Sequence, residues 1–225
     1  MNKAQLSRTY MTTGIVAVLF IIFLVEIVAG GSSNSVVLYR FGAMNNYIVV
    51  SAGQWWRLFT AQFLHIGLMH LVSNVVFIYY LGQLLEQLFG HWRFLTLYLL
   101  AGIGGNLLSL AFGSDNTISA GASTALFGLL GAMLAMSWHN RQNPYSRFLG
   151  RQAFMLVAIN LILDVFISGI DIMGHIGGVV TGFLLAILLG SHELASWPRK
   201  ARVVAAALLI FYVVATVRIG MVISY

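Results

Sequence analysis

A serine and a histidine at the mouths of two long apolar stretches are the residues of this chain best suited to chemistry. Ser123 stands in Gly-Ala-Ser-Thr (Gly121 to Thr124) and His175 in Gly-His-Ile-Gly-Gly (Gly174 to Gly178). A polar group so placed in a membrane is costly unless it has a partner or a task. Together the two are the minimum parts of a serine hydrolase, a nucleophilic hydroxyl and an imidazole to take its proton. Ser123 opens an apolar helical run, so its backbone N–H is one of the unpaired donors of a helix N-terminus, where the helix dipole favours negative charge. His70 and Asn74, four residues apart, share a helix face, and both are donors suited to a developing oxyanion. Gly174, Gly178 and Gly182 recur every four residues, a small-residue stripe that lets another backbone approach closely beside His175.

Each feature also has a plainer reading. A serine in a membrane helix is commonly a packing residue bonded to its own backbone. A glycine stripe packs helices whatever else it does, and intramembrane His and Asn also line transport paths. Asp164 lies well inside another apolar run, one turn after Asn160. An ionisable group at that depth is a functional candidate; the expectation here is that it is protonated, or bonded to Asn160 or Ser168, and merely lines a wet cavity.

The elements that must position these residues are membrane helices. Hydrophobic residues make up 60% of the 225 positions and charged residues 8%, with a mean hydropathy of +0.90, far from the quarter charged of a soluble domain. The runs predict seven spans, near Met11–Val28, His65–Leu88, Phe94–Phe112, Ser123–Trp138, Gln152–Ser168, Gly174–Leu189 and Val203–Val222. They are continuously apolar over helical lengths, without the alternation of a membrane β-barrel. The fold class is therefore an all-α polytopic membrane bundle. With no cysteine, thiol catalysis, disulfides and thiolate metal sites are excluded.

Net charge is +6, and its placement matters more than its sign. Lys3, Arg8, Arg93, Arg141, Arg147, Arg151, Arg199, Lys200 and Arg202 fall on the side of the N-terminus; Arg40, Arg57 and Arg218 fall on the other. The positive-inside rule then puts the N-terminus in the cytoplasm and the C-terminus outside. Ser123, His175, His70 and Asn74 all fall at the outer membrane level, a placement fixed by charges not used to choose them. The basic residues form no patch, so nucleic acid is not an expected partner. The N-terminus resembles a signal peptide, but the run is long and carries Glu26 near its outer end, which favours an uncleaved helix. The outward segment 29–64, rich in Gly, Ser, Asn and aromatics, is too long for a simple connector and is expected to fold against the helices. The expected organisation is a six-helix core over 1–190, a basic linker over 191–202 containing Trp197-Pro198, and an appended helix over 203–225.

At this point the residues resemble the rhomboid intramembrane serine proteases. Leu64 to Asn74 is similar to the family's second helix with its His-xxx-Asn pair. Gly121-Ala122-Ser123 resembles the nucleophile motif, and His175 to Gly182 the sixth-helix His-xx-Gly-xxx-Gly. Trp56-Arg57 matches the family's Trp-Arg motif in the first loop. The likeness runs from about Gln54 to Leu189, with motifs in register across four regions, and the seventh helix resembles one large subgroup.

The resemblance implies a Ser–His dyad with no third acid. Ser123 would be the nucleophile and His175 the general base, with His70, Asn74 and the Ser123 backbone N–H forming the oxyanion site. Gly121, Phe127 and Gly178 would support them, and Glu86 falls where the family has a structural acid. Two positions depart from the pattern: Thr124 replaces the usual Gly after the serine, and Phe127 replaces the Tyr that some members stack on the histidine. A ring at that spacing still packs on an imidazole, whereas a β-branched Thr124 leaves substrate choice and rate open. The implied activity is hydrolysis of peptide bonds in or beside the transmembrane segments of single-span substrates. It needs neither cofactor nor metal. The implied setting is the bilayer of a bacterial plasma membrane, with the active site toward the outer side and the oligomeric state open. Zinc and aspartyl intramembrane proteases lack their motifs here: no His-Glu-x-x-His occurs, and Asp171 follows Ser168-Gly-Ile170. An inactive rhomboid-like client-binding protein and a small transporter remain as alternatives, although the two related halves common in transporters are absent.

Overall fold

The computed structural model describes residues 9–115, 117–191 and 197–223. Lys3, Arg8 and the middle of the linker, 192–196, lie outside the described residues. Ten α-helices occur among those described: α1 (Tyr10–Val28), α2 (Ser35–Phe41), α3 (Asn46–Ser51), α4 (Arg57–Thr60), α5 (Leu68–Phe89), α6 (His91–Phe112), α7 (Ser123–His139), α8 (Pro144–Phe166), α9 (Ile172–Leu189) and α10 (Arg199–Ile223). A single 3-10 turn, Ala61–Phe63, follows α4. Six helices, α1, α5, α6, α8, α9 and α10, are long and apolar enough to cross a membrane. The protein is a multi-pass membrane protein. Its outer faces carry what lipid requires, such as Phe166, Val165 and Phe154, all well exposed on α8.

The helix that carries Ser123 differs from the rest. At 17 residues, α7 is about 26 Å long, short of the ~30 Å of hydrocarbon. It need not touch lipid on all sides, because α5, α6, α8 and α9 surround it and most of its residues are buried. A helix this short can leave an end inside the membrane, among the helices that surround it. Irregular backbone at that depth persists only when buried in protein or facing a water-filled cavity.

Several ends differ from the hydropathy reading, each for a local reason. α5 begins at Leu68 rather than His65, because Gly67 has a left-handed φ of 83° at its head and His65 stays in the preceding loop. α8 begins eight residues before the apolar run. Asn143 caps it by accepting from Tyr145 N and Ser146 N, with Pro144 in the first turn. Arg147 and Arg151 ride that first part of the helix, where long side chains can reach the interface.

The first loop does fold against the helices, as α2, α3 and α4. Arg57 holds it together: the guanidinium is buried, donates to Tyr39 O (3.0 Å), Ala43 O (2.8 Å) and Gln54 Oε1 (2.8 Å), and lies over the Tyr39 and Trp56 rings. Burial lowers its pKa from the ordinary guanidinium value. The loop is tied to α6 by Asn46, whose amide donates to Ser109 O, and by Asn106, whose amide donates to Leu58 O, both at 2.8 Å. Met44 and Ser119 pair backbone to backbone, and the Asn45 amide donates to Asp115 O and Thr117 O, so the loop also grips the segment leading to Ser123. At the opposite end Glu86 of α5 accepts from Met11 N (3.0 Å), Thr12 N (2.8 Å) and Thr12 Oγ1 (2.6 Å) and contacts His91 Nδ1. It thereby satisfies donors that the head of α1 leaves unpaired. α10 packs on α6 and α9, with Tyr212 Oη donating to Gly104 O at 2.7 Å.

Candidate active site

Ser123 is the first residue of α7, and the two residues before it set its position. Gly121 has φ 151° and donates to Ala61 O at 3.0 Å. A Cβ there would sit 2.7 Å from His70 Cε1 and 2.9 Å from His70 Nε2, so only glycine lets the chain pass this close to the α5 imidazole. Ala122 N donates to His65 Nε2 at 3.4 Å. That bond requires a neutral His65, and burial together with the nearby His70 pushes its pKa down to about 3.

α9 brings His175 to meet Ser123 because glycine removes everything between the two helices. A Cβ on Gly178 would run into Thr124 O, and one on Gly182 into Gly128 O, so α7 and α9 touch backbone to backbone. Their heads are joined as well. Asp171 caps α9 by accepting from Gly174 N at 2.8 Å, and Ser119 Oγ, on the segment leading to Ser123, donates to Asp171 Oδ2 at 3.1 Å.

The result is a close juxtaposition. His175 Nε2 lies 2.9 Å from Ser123 Oγ. Phe127, one turn along α7, stacks on the imidazole with centroids 4.1 Å apart and planes 13° from parallel. The ring expected to orient the histidine does lie on it, but not alone. Asp164 Oδ2 of α8 is 2.7 Å from His175 Nδ1. The expected partners of Asp164 were Asn160 and Ser168. Asn160 is engaged elsewhere, its amide donating to Leu156 O at 2.7 Å. The depth of Asp164 in an apolar helix makes it a functional candidate, but its partner is eleven residues away across a helix break, beyond any i, i+4 rule.

The group lines a cavity of about 440 Å³ whose walls include His70, Asn74, Ser123, Phe127, Asp164 and His175. The Asn74 amide nitrogen is buried and has no partner there, and His70 is half-buried beside Gly121. Thr124 does not narrow this space. It points toward α6 and α9, its Cβ 2.8 Å from where a Cβ on Gly105 would stand and its methyl 3.0 Å from the same point on Gly174. Those two glycines accommodate the β-branched residue.

A family model for the rhomboid domain matches residues 52–192, nearly the limits of the motif likeness. The chain belongs to the rhomboid family. Among its relatives, Rhomboid protease GluP of Bacillus subtilis is 40% identical over 202 residues, covering 90% of this chain and 38% of the relative. RHOMBOID-like protein 7 of Arabidopsis thaliana is 41% identical over 170 residues, 74% of this chain and 53% of the relative. Rhomboid-like protease 1 of Toxoplasma gondii is 36% identical over 155 residues, 68% and 53% respectively. The chain thus spans between 38% and about half of these relatives' length. Within this rhomboid core, the motif-matched segments that carry His70 and Asn74, Ser123 and His175 line the cavity, and Trp56-Arg57 does not.

Proposed function

We propose that this rhomboid is a serine endopeptidase that hydrolyses peptide bonds in or next to the transmembrane segments of single-span membrane proteins. The observation that carries the reading is the 2.9 Å approach of His175 Nε2 to Ser123 Oγ inside a cavity of a membrane bundle. In the proposed step Ser123 Oγ bonds to the scissile carbonyl carbon while its proton passes to His175 Nε2, and the carbonyl π pair moves onto oxygen. The Ser123 backbone N–H, the unpartnered Asn74 amide and His70 then hold the oxyanion. His175 returns the proton to the leaving amine, and water repeats the sequence on the acyl-enzyme. Helical backbone is sterically shielded and fully hydrogen-bonded, so favoured substrates have a helix weakened by Gly, Ala or Pro near the cut. The proposed setting is a bacterial plasma membrane, and the arginine distribution supports a cytoplasmic N-terminus with the cavity toward the outer face.

The test combines cleavage of a single-span substrate with labelling by a serine-directed phosphonate. Wild type should cut and label, folded Ser123→Ala should do neither, and folded His175→Ala should label far more slowly. A wild type that stays unlabelled and cuts nothing points instead to a client-binding protein or a transporter and overturns the proposal.

A further inference from the structure

We propose that Asp164 is a positioning residue for His175, extending the Ser123–His175 pair to a three-membered Ser–His–Asp relay whose acid comes from a separate helix. The inference rests on the protease reading above and deepens it. Its first support is geometry. Oδ2 of Asp164 lies 2.7 Å from Nδ1 of His175 while Nε2 of the same ring lies 2.9 Å from Ser123 Oγ, so the imidazole joins carboxylate to hydroxyl through its two nitrogens. The carboxylate distance falls in the range of charge-assisted bonds.

The second support is burial. Asp164 is 7% exposed and His175 6%. On α8 the only other buried residues are Gly150 and Ala153, at least eleven positions earlier, and its neighbours Leu163, Val165 and Phe166 are exposed on the lipid side. An acid buried on such a helix is strongly unfavourable without a partner, and His175 is the partner the structure supplies. Asn160, one turn back, is bonded to its own helix and does not compete.

The chemistry follows from the acceptor. An ionised carboxylate only accepts hydrogen bonds, so Asp164 keeps the imidazole proton on Nδ1 and leaves the Nε2 lone pair facing Ser123. When Nε2 takes the serine proton, the cation that forms lies between the carboxylate and the newly bonded Oγ. Asp164 takes no proton in the step; it fixes tautomer and orientation and stabilises the imidazolium. Phe127 holds the plane of the ring by stacking, but an apolar face cannot choose between the two tautomers.

The experiment measures kcat and KM of the full chain in proteoliposomes on a single-span substrate, with the phosphonate labelling rate and the thermal midpoint beside them. The variants are Asp164→Asn, close to isosteric, and Asp164→Ala. Asp164→Asn should lower kcat and the labelling rate together by about 10²- to 10⁴-fold, the upper figure being the loss from the equivalent change in a soluble serine protease. KM and thermal midpoint should stay near wild type. Asp164→Ala, where it folds, should lose at least as much; if it does not fold, Asp164→Asn decides. A kcat within about threefold of wild type in folded Asp164→Asn overturns the relay. So does a loss in which kcat falls only with the thermal midpoint, the pattern of a structural role. A wild type that neither cuts nor labels overturns both readings, whereas a wild type that does both beside unchanged Asp164 variants overturns the relay alone.

Discussion

At the scale of single residues, two donors line the cavity without a fixed task in the resting protein. Asn74 has a buried amide nitrogen with no partner. Leaving such a group unsatisfied costs about 1–3 kcal/mol, a penalty that the proposed mechanism relieves by pairing it with the substrate oxyanion. The His70 ring lies directly against Gly121, where a Cβ would meet it at 2.7 Å, beside the serine it would assist. Asn74→Ala and His70→Ala should each leave expression intact and lower turnover by about 10²–10³-fold where the donor acts fully. The double variant should be slower than either. Unchanged single-turnover rates in all three would remove the pair from the mechanism.

At the scale of elements, the critical contact is α7 against α9. It is made by backbone atoms, because Gly178 and Gly182 face Thr124 and Gly128 directly. Backbone cannot step aside as a side chain can, so an added group there must move a helix. Gly182→Val should cost roughly 1–3 kcal/mol as an overpacking change, lowering the thermal midpoint in detergent. It should also slow phosphonate labelling by widening the gap from Ser123 to His175, although residue 182 lies two turns from the imidazole. A Gly182→Val protein with wild-type midpoint and labelling would show that the interface has slack the structure does not display.

For the whole molecule, the issue is which way the bundle faces. The arginines gather around the α7–α8 connection, at Arg141, Arg147 and Arg151, while the first loop and the segment leading to Ser123 lie at the other end. On the positive-inside rule we propose that the first of these faces the cytoplasm. The chain has no cysteine of its own, so a single introduced thiol reports without background. Gln142→Cys should be shielded from an impermeant reagent on intact cells and Ser114→Cys should react. The reverse pattern would invert the orientation and move the cavity to the inner face.

Composition and hydropathy by themselves determined that this is an all-helical membrane bundle, because lipid requires the backbone to pair within helices or closed barrels and the continuous apolar runs lack a barrel's alternation. Spacing determined more: His70 with Asn74 and the glycines of α9 repeat at intervals that a helix converts into faces, and the motifs resemble a family that the chain proves to belong to. Helix ends were less legible. The start of α8 depends on an Asn-Pro cap and on arginines that hydropathy counts against a span, and the start of α5 on the φ of one glycine. What only the tertiary structure decided is which helices meet. Thr124, whose effect the sequence left open, is accommodated by glycines from two other helices. Asp164 looked like a local hydrogen-bond partner for its own turn, yet its carboxylate lies on an imidazole of the next helix. Periodicity specifies a residue's face and depth; the partner across that face is set by the packing of the other helices.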